Sequence, residues 1–458
     1  MTTEYGAAPL NLNLTTALAE FLARVEFDSL PEDVRHEGRR GVLDWLGCAI
    51  AGSTHPTITR LLNVLTALNG APTATVIGDG RRLGLLEAPI ANGQMGHVLD
   101  YDDTHMDGVI LHASSPVLAA LLALAETRRV SGAAFLRAYA IGFEVGVRAG
   151  QSAPRHHEGG WHLTGTLGTL AAASACGSLL GLDARQLVHT MGIAGTQAAG
   201  MQQNRGTMCK SFHAGKAASN GVLSALLAAE GFDSSDEILE GKRGFSRIYS
   251  VEQDVDRLLD GLGERWLITT NGYKPYACGV VQHALIDAMI LAAEQCQDAL
   301  PSVERVVARV NPRVVRITGV EDPQTGLKSK FSLKHSAAVA FLDGNAGIPQ
   351  YSDARATADD VVELRSRIEV VAEPEFGPNE AAVDVWLTGG QHISARIPHA
   401  SGTAENPLSD AAIERKFLSN AVPVLGDERA RAVIAEVAAL DRADDVSQLM
   451  RLLALAGT

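Results

Sequence analysis

Residues 97–116, reading HVLDYDDTHMDGVILHASSP, gather four aspartates, three histidines and Thr104 between two apolar, small-residue segments at 88–95 and 117–125. Flanks of that kind predict buried helices, which sets the polar cluster within the core rather than on a solvated face. Buried acids and imidazoles are costly unless they are paired or used. Asp100 and Thr104 lie four apart and share a face if the first helix runs through them, while His112 precedes the second helix. A carboxylate, a hydroxyl and an imidazole are thereby expected within reach of one another, a set suited to moving protons.

Three further patches carry similar residue types, at 155–162, 205–216 and 274–283. Lys210, Ser211 and His213 fall at the start of a helix expected over 214–229, where free backbone N–H groups and the positive end of the helix dipole favour an anion. Lys210 with these amides is an expected carboxylate cradle. Lys274 sits in a glycine-bounded turn, 272–279, stiffened by Pro275 at an expected domain junction, where clefts form. His97, Asp100, Asp102, Asp103 and His105 are ligand types within nine residues, but no His-x-x-x-His or other ligand spacing joins them, and no metal site is expected. The chain has no Gly-x-x-x-x-Gly-Lys-Ser/Thr, no Gly-x-Gly-x-x-Gly after a strand and no Gly-x-Ser-x-Gly, which removes the main support for a nucleotide cofactor or a serine hydrolase.

The elements that must position these groups follow from length and patterning. A chain of 458 residues exceeds the usual single core, so two domains are expected. With 46% hydrophobic residues but only 5% aromatic, the core is built from Ala, Leu, Val and Ile, which favours closely packed helices. A net charge of −14 argues against nucleic acid or an anionic membrane as partner. It leaves room for an anionic substrate, because distant charge is screened within about 8 Å and a local Lys/His pocket can dominate. The five cysteines form no C-x-x-C pair, as in a reduced cytoplasmic protein, and neither a signal-peptide pattern nor an apolar run of about 18 residues is present.

The expected class is mainly α with a smaller α+β domain. Residues 1–14 read as a loose arm and 73–80 as a short strand or loop. Helices are expected at 15–25, 31–51, from Pro56 to just before Gly70, and at 131–149, 163–180, 187–199 and 214–229. Alternating, β-branched segments at 303–310, 314–318, 367–371, 382–387 and 392–397 then predict strands, interleaved with helices at about 280–296, 332–343 and 357–366. A helical tail at 409–455 matches the first half. The expected organisation is a helical domain from 1–268, an α+β domain from 269–403, and a helical return from 404–458.

Taken in order, the patches resemble the MmgE/PrpD family, which includes 2-methylcitrate dehydratases, cis-aconitate decarboxylases and iminodisuccinate epimerases. The resemblance rests on Asn92-Gly93, His97-Val-Leu-Asp-Tyr-Asp-Asp-Thr104, His112 to Pro116, Gly160-Trp-His162 and Gly165-Thr-Leu-Gly-Thr169. It continues through Lys210-Ser-Phe-His213, Gly215-Lys-Ala217, Lys274-Pro-Tyr276 with His283, Lys330-Phe-Ser-Leu333 and Asn406-Pro-Leu408. It implies a homodimer whose large helical domain comes from both chain ends, with an α+β lid between them and an active site in the cleft. It further implies catalytic positions at Asp100, Thr104, His112, His162 and Lys210, and substrate contacts at His213, Lys274 and His283, with no cofactor. Two departures stand out. The interval from Thr104 to His112 is longer than in the decarboxylase pattern, and Cys278-Gly279 stands where the decarboxylase branch carries a histidine.

The substrates implied are small di- or tricarboxylates. Lys210 and nearby amides, assisted by Lys274, are expected to hold carboxylates, with His162 or His112 as base and acid. Asp100 with Thr104 is expected to orient an imidazole or to bond a leaving hydroxyl. Dehydration of a 2-methylcitrate-like acid is the leading expectation, decarboxylation or epimerisation of a related acid the next, and a non-catalytic carboxylate-binding protein the third.

Overall fold

The computed structural model describes residues 13–296 and 303–455; most of the expected loose arm lies outside them. Among the described residues the first half is a stack of nine α-helices: α1 Leu14–Leu22, α2 Glu32–Gly52, α3 Pro56–Ala67, α4 Glu87–Val98, α5 Ser114–Ala125, α6 Gly132–Gln151, α7 Leu163–Leu179, α8 Ala184–Gly195 and α9 Met208–Ala229. Their starts follow local chemistry. Pro56 opens α3, and the Ser131 hydroxyl accepts the Ala134 N–H at the start of α6. A two-stranded ladder, β1 Ala74–Thr75 with β2 Arg82–Leu83, lies between α3 and α4. No helix among the described residues is long and apolar enough to cross a membrane.

Small residues set the spacing of the central helices. A Cβ on Gly93 of α4 would stand 2.8 Å from the Gly215 Cα of α9, and one on Gly215 would stand 2.1 Å from the Ile90 carbonyl oxygen. Only glycine permits that approach, and it brings the C-terminal end of α4, where His97 lies, against the N-terminal turns of α9, where Lys210 lies.

Beyond a short helix α10, Phe245–Tyr249, the pattern changes. Helix α11 His283–Glu294 and strand β5 Val303–Val310 lead to α12 Pro312–Ile317, the short helices α13 Gly326–Ser329 and α15 Asp353–Ala356, and the longer α14 Leu333–Asp343 and α16 Asp359–Ser366. Strands β6 Ile368–Ala372, β7 Ala381–Leu387 and β8 His392–Ile397 complete a sheet of order β6-β5-β7-β8, parallel only between β5 and β6. Successive residues of β7 alternate between buried and partly buried, the pattern of a sheet covered on one face. The strand expected at 314–318 is instead helix α12. Asn311 accepts the Arg313 N–H at 2.8 Å and Pro312 takes the first helical position, so an Asn-Pro start overrides the β-branched run that follows.

The chain returns through α17 Asp410–Leu425, α18 Asp427–Ala438 and α19 Ser447–Leu453 to the helical body. Two hydrophobic cores result. One draws on residues up to Tyr273 and again on Ile413 to Leu453. The other is built from Ala277 to Ala400, but also takes in Cys48, Val98, Leu99 and Tyr101. The segment just after α4 therefore belongs to both halves of the molecule.

That segment is fastened from three sides. The Lys416 ammonium of α17 donates to Asp44 of α2 at 2.6 Å and to the Tyr101 carbonyl at 2.7 Å, and lies 4.1 Å from the Tyr101 ring centroid. The Tyr101 hydroxyl donates to the Pro275 carbonyl at 2.8 Å. Strand β3 Thr104–His105 pairs with β4 Asn271–Gly272, and the Asn271 amide donates to Asp103 at 2.8 Å.

Lys416→Met strands the Asp44 carboxylate out of water and should cost about 3–5 kcal/mol in denaturant unfolding, with most of the loss recovered by adding Asp44→Leu. Burial, with Asp102 and Asp44 near, pushes the Asp103 carboxyl up to about 8. The folded chain then keeps a proton that the unfolded chain loses near pH 4, so this group lowers stability progressively from pH 4 to 8. Asp103→Asn should gain on the parent chain as pH rises; equal differences between their unfolding midpoints at pH 5 and pH 7.5 would refute this.

Candidate active site

Helix α4 stops at Val98, and Asp100 adopts a left-handed backbone, φ 52°. The chain reverses there, so Asp100 and Thr104 do not share a helical face as expected; Thr104 lies in β3 opposite Gly272. Asp100 also does not orient an imidazole. Its Oδ1 accepts from the Lys274 ammonium at 2.7 Å and is 3.2 Å from that of Lys210, while Lys274 also donates to the Asp100 carbonyl at 3.0 Å. Burial opposes ionisation, but the two ammonium groups prevail and hold the carboxyl well below the usual range.

A second buried carboxylate, Asp102, organises the histidines. It accepts from His97 Nδ1 at 2.8 Å and from the Ser115 hydroxyl at 2.6 Å, and Ser115 in turn accepts from the Trp45 indole N–H at 3.1 Å. His112 donates from Nδ1 to the Asp103 carbonyl at 2.8 Å and lies 3.0 Å from the Thr104 hydroxyl, which does help to orient this imidazole. The His97 ring centroid is 4.7 Å from that of His112 and 5.4 Å from that of His162, and His162 Nδ1 is 2.9 Å from His213 Nδ1. Burial lowers the pKa of His97, His112 and His162, and that of His213 to about 4, so these imidazoles are neutral near pH 7. Donor atoms of His97, Asp102 and His112 lie within 4.8 Å of one another, a spacing a metal ion could use. In this arrangement His97 Nδ1 bonds Asp102, and His112 Nδ1 bonds the Asp103 carbonyl and Thr104.

A cavity of about 20 Å³, lined by His97, Asp100, Lys210, Ser211, Lys330 and neighbours, lies between these groups and the α+β half. It adjoins a larger one of about 980 Å³ that shares Gly206, Met208 and Lys330 with it. Lys330 donates to the Leu99 carbonyl at 2.7 Å and sits over the Tyr351 ring, 4.9 Å from its centroid. Burial lowers its pKa to about 8. Around the hollow, three lysines face two ionised aspartates. The surplus is positive, which suits an anion.

Asp100 and Lys210 thus line the small cavity. Lys274 contacts Asp100 directly, and Lys210 is close enough to His162 to depress its pKa, so both lie on the same side of the molecule. Thr104 contacts His112 and His213 contacts His162, but neither His112 nor His162 lines the small cavity; both pack against His97, which does. His283, at the first position of α11, is fully buried edge-on to Tyr276, with centroids 5.3 Å apart, and lines neither cavity. The amide cradle is narrower than expected: α9 begins at Met208, so Lys210 lies in its first turn with its own N–H turned back to the Thr207 carbonyl. From the sequence, His97 and Asp102 stand as ligand types and Lys330 within a resembling motif, but none of the three is expected in a catalytic or substrate-binding role. The five-residue step from His97 to Asp102 spans a helix end and matches no face, and Lys330 stands between Lys328 and Lys334 with nothing in the sequence to set it apart.

Residues 16–258 match the MmgE/PrpD N-terminal domain and residues 276–442 the MmgE/PrpD C-terminal domain. The chain is 26% identical over 487 residues to a cis-aconitate decarboxylase of Aspergillus terreus, covering 99% of this chain and 98% of that one. It is 27% identical to a cis-aconitate decarboxylase-like protein of Aspergillus oryzae, covering 96% and 97%. To the cis-aconitate decarboxylase of Homo sapiens it is 26% identical, covering 96% and 94%. With both domains matched in order across nearly its whole length, the chain belongs to the MmgE/PrpD family.

Proposed function

We propose that the chain is a cofactor-free lyase that decarboxylates a small tricarboxylate of the cis-aconitate kind. The observation that carries this reading is the buried surplus of positive charge from Lys210, Lys274 and Lys330, set against a wall of neutral imidazoles. The lysines hold the substrate carboxylates. When the C–CO₂ bond breaks, its electron pair spreads into the adjoining double bond and carboxylate, where ammonium groups stabilise it. A proton from the cluster of His97, His112 and His162 then takes the place of CO₂ on the carbon skeleton. The arriving carboxylates raise the imidazole pKa, so the acid forms on binding.

The names of the relatives support decarboxylation over the dehydration that the sequence put first. Dehydration of a 2-methylcitrate-like acid stays as the second reading because of Cys278. Burial pushes its thiol up to about 11, so it does not replace, at neutral pH, the histidine of the decarboxylase branch. In this reading residues 269–403 act as a lid on the body formed by 1–268 and 404–458, since a hollow of about 20 Å³ admits little more than a water and must open for substrate. The same reading carries a cytoplasmic homodimer, with a solution mass twice the 48.3 kDa of one chain.

Incubation with cis-aconitate, 2-methylcitrate and iminodisuccinate tests the assignment. CO₂ release from cis-aconitate is expected. A new double-bond absorbance from 2-methylcitrate without CO₂ would move the assignment to dehydration, loss of optical rotation alone to epimerisation, and a thermal shift without turnover to a binding protein. Lys210→Met should lower kcat/KM by about 10²-fold or more while leaving the fold intact. As pH rises through about 8, Lys330 loses its charge, so KM should climb between pH 7 and 9.5. Lys330→Arg, charged throughout, should abolish that climb, and an unchanged KM profile would remove Lys330 from binding.

A further inference from the structure

We propose that His97 is the catalytic residue that exchanges a proton with the bound acid, and that Asp102, Ser115 and Trp45 position it for that step. This deepens the reading above and rests on it. An ionised Asp102 can only accept, so the His97 hydrogen sits on Nδ1 and Nε2 carries a lone pair. That nitrogen is buried without any partner, while its ring lines the small cavity beside Asp100, Lys210 and Lys330. A buried polar atom left unpaired costs free energy that a ligand in the hollow would return.

The other two imidazoles are less well placed. His112 donates to a neutral carbonyl and has the Asp102 carboxylate only at 3.7 Å, farther than His97 has it at 2.8 Å, and it does not line the small cavity. Nδ1 of His162 is engaged by His213, and its ring meets the hollow through His97. The groups facing His97 are Asp102 and Asp100 from the loop after α4, His112 ahead of α5, His162 ahead of α7, and Lys210 and His213 on α9, with Lys330 across the cavity. Lys210 opposes a charge on the ring and Asp102 favours it. Carboxylates entering the hollow add to the Asp102 side, and Nε2 takes up a proton. In decarboxylation the C–CO₂ pair passes into the carbon framework, Nε2–H supplies the proton and the ring returns to neutral.

Calorimetric titration with tricarballylate, a saturated tricarboxylate that cannot react, tests this when run at pH 7 in two buffers of different ionisation heat. The parent chain should take up about one proton per molecule bound. His97→Gln, whose amide can still donate to Asp102, should bind within about threefold but without the uptake, whereas His112→Gln and His162→Gln should retain it. Asp102→Asn, which keeps the imidazole, should move half-maximal uptake down by about one pH unit or more, and should lower kcat about tenfold with little change in KM. The Asn variant decides the matter if the Gln variant fails to fold. Uptake that survives in His97→Gln, or that disappears in His112→Gln instead, overturns the assignment of His97 alone. Failure of tricarballylate to bind the parent chain overturns the carboxylate-pocket reading, and this one with it.

Discussion

One carboxylate oxygen facing two ammonium groups, all three side chains withdrawn from water, is the constraint on which the rest of this structure depends. Taking each charge out of water costs several kcal/mol, and only close geometry offsets it. Asp100, Lys210 and Lys274 come from the end of α4, the start of α9 and the turn after β4. The paired glycines between α4 and α9 and the short β3–β4 ladder bring these three parts of the chain together. The left-handed backbone at Asp100 adds about 1–3 kcal/mol of strain, which persists only because its surroundings over-determine it.

Three neighbouring acids show how far environment decides charge. Asp100 and Asp102 are ionised, the first by lysines and the second by His97 and His112. Asp103, next in sequence, is raised to about 8 and remains a neutral acid at moderate pH. Ionising it as well would cancel the positive surplus of the hollow. A neutral Asp103 thus keeps the region attractive to anions, while Asp102 is left to act on the histidines.

The helical body was legible from the sequence because its signals are local: small-residue runs, serine caps, and prolines at helix starts. The strands of the four-stranded sheet were legible from alternation, whereas the two-residue strands β2, β3 and β4 were not, and at 314–318 a two-residue helix start outweighed a run with four β-branched residues. The Asp-rich stretch could be recognised as the centre of the molecule, since so many acids between core helices needed partners. Which partner belonged to which acid could not be read. Asp100 meets Lys274 across 174 positions, and Lys416 meets Asp44 across 372. A catalytic role for His97 could not be read either, because it lies in one unpaired nitrogen, which only three-dimensional placement reveals.

The contact of Lys416 with the Tyr101 carbonyl has a consequence for how the molecule comes into being. Synthesis proceeds from the amino end, so every residue of the reactive hollow has left the ribosome before the cation that braces the Asp100 segment is made. Until α17 emerges, Asp44 lies among apolar helices with no counter-charge, and the segment carrying Asp100 lacks its rear support. A chain that stops short of residue 416 lacks the cation that pairs with Asp44 and holds the Tyr101 carbonyl.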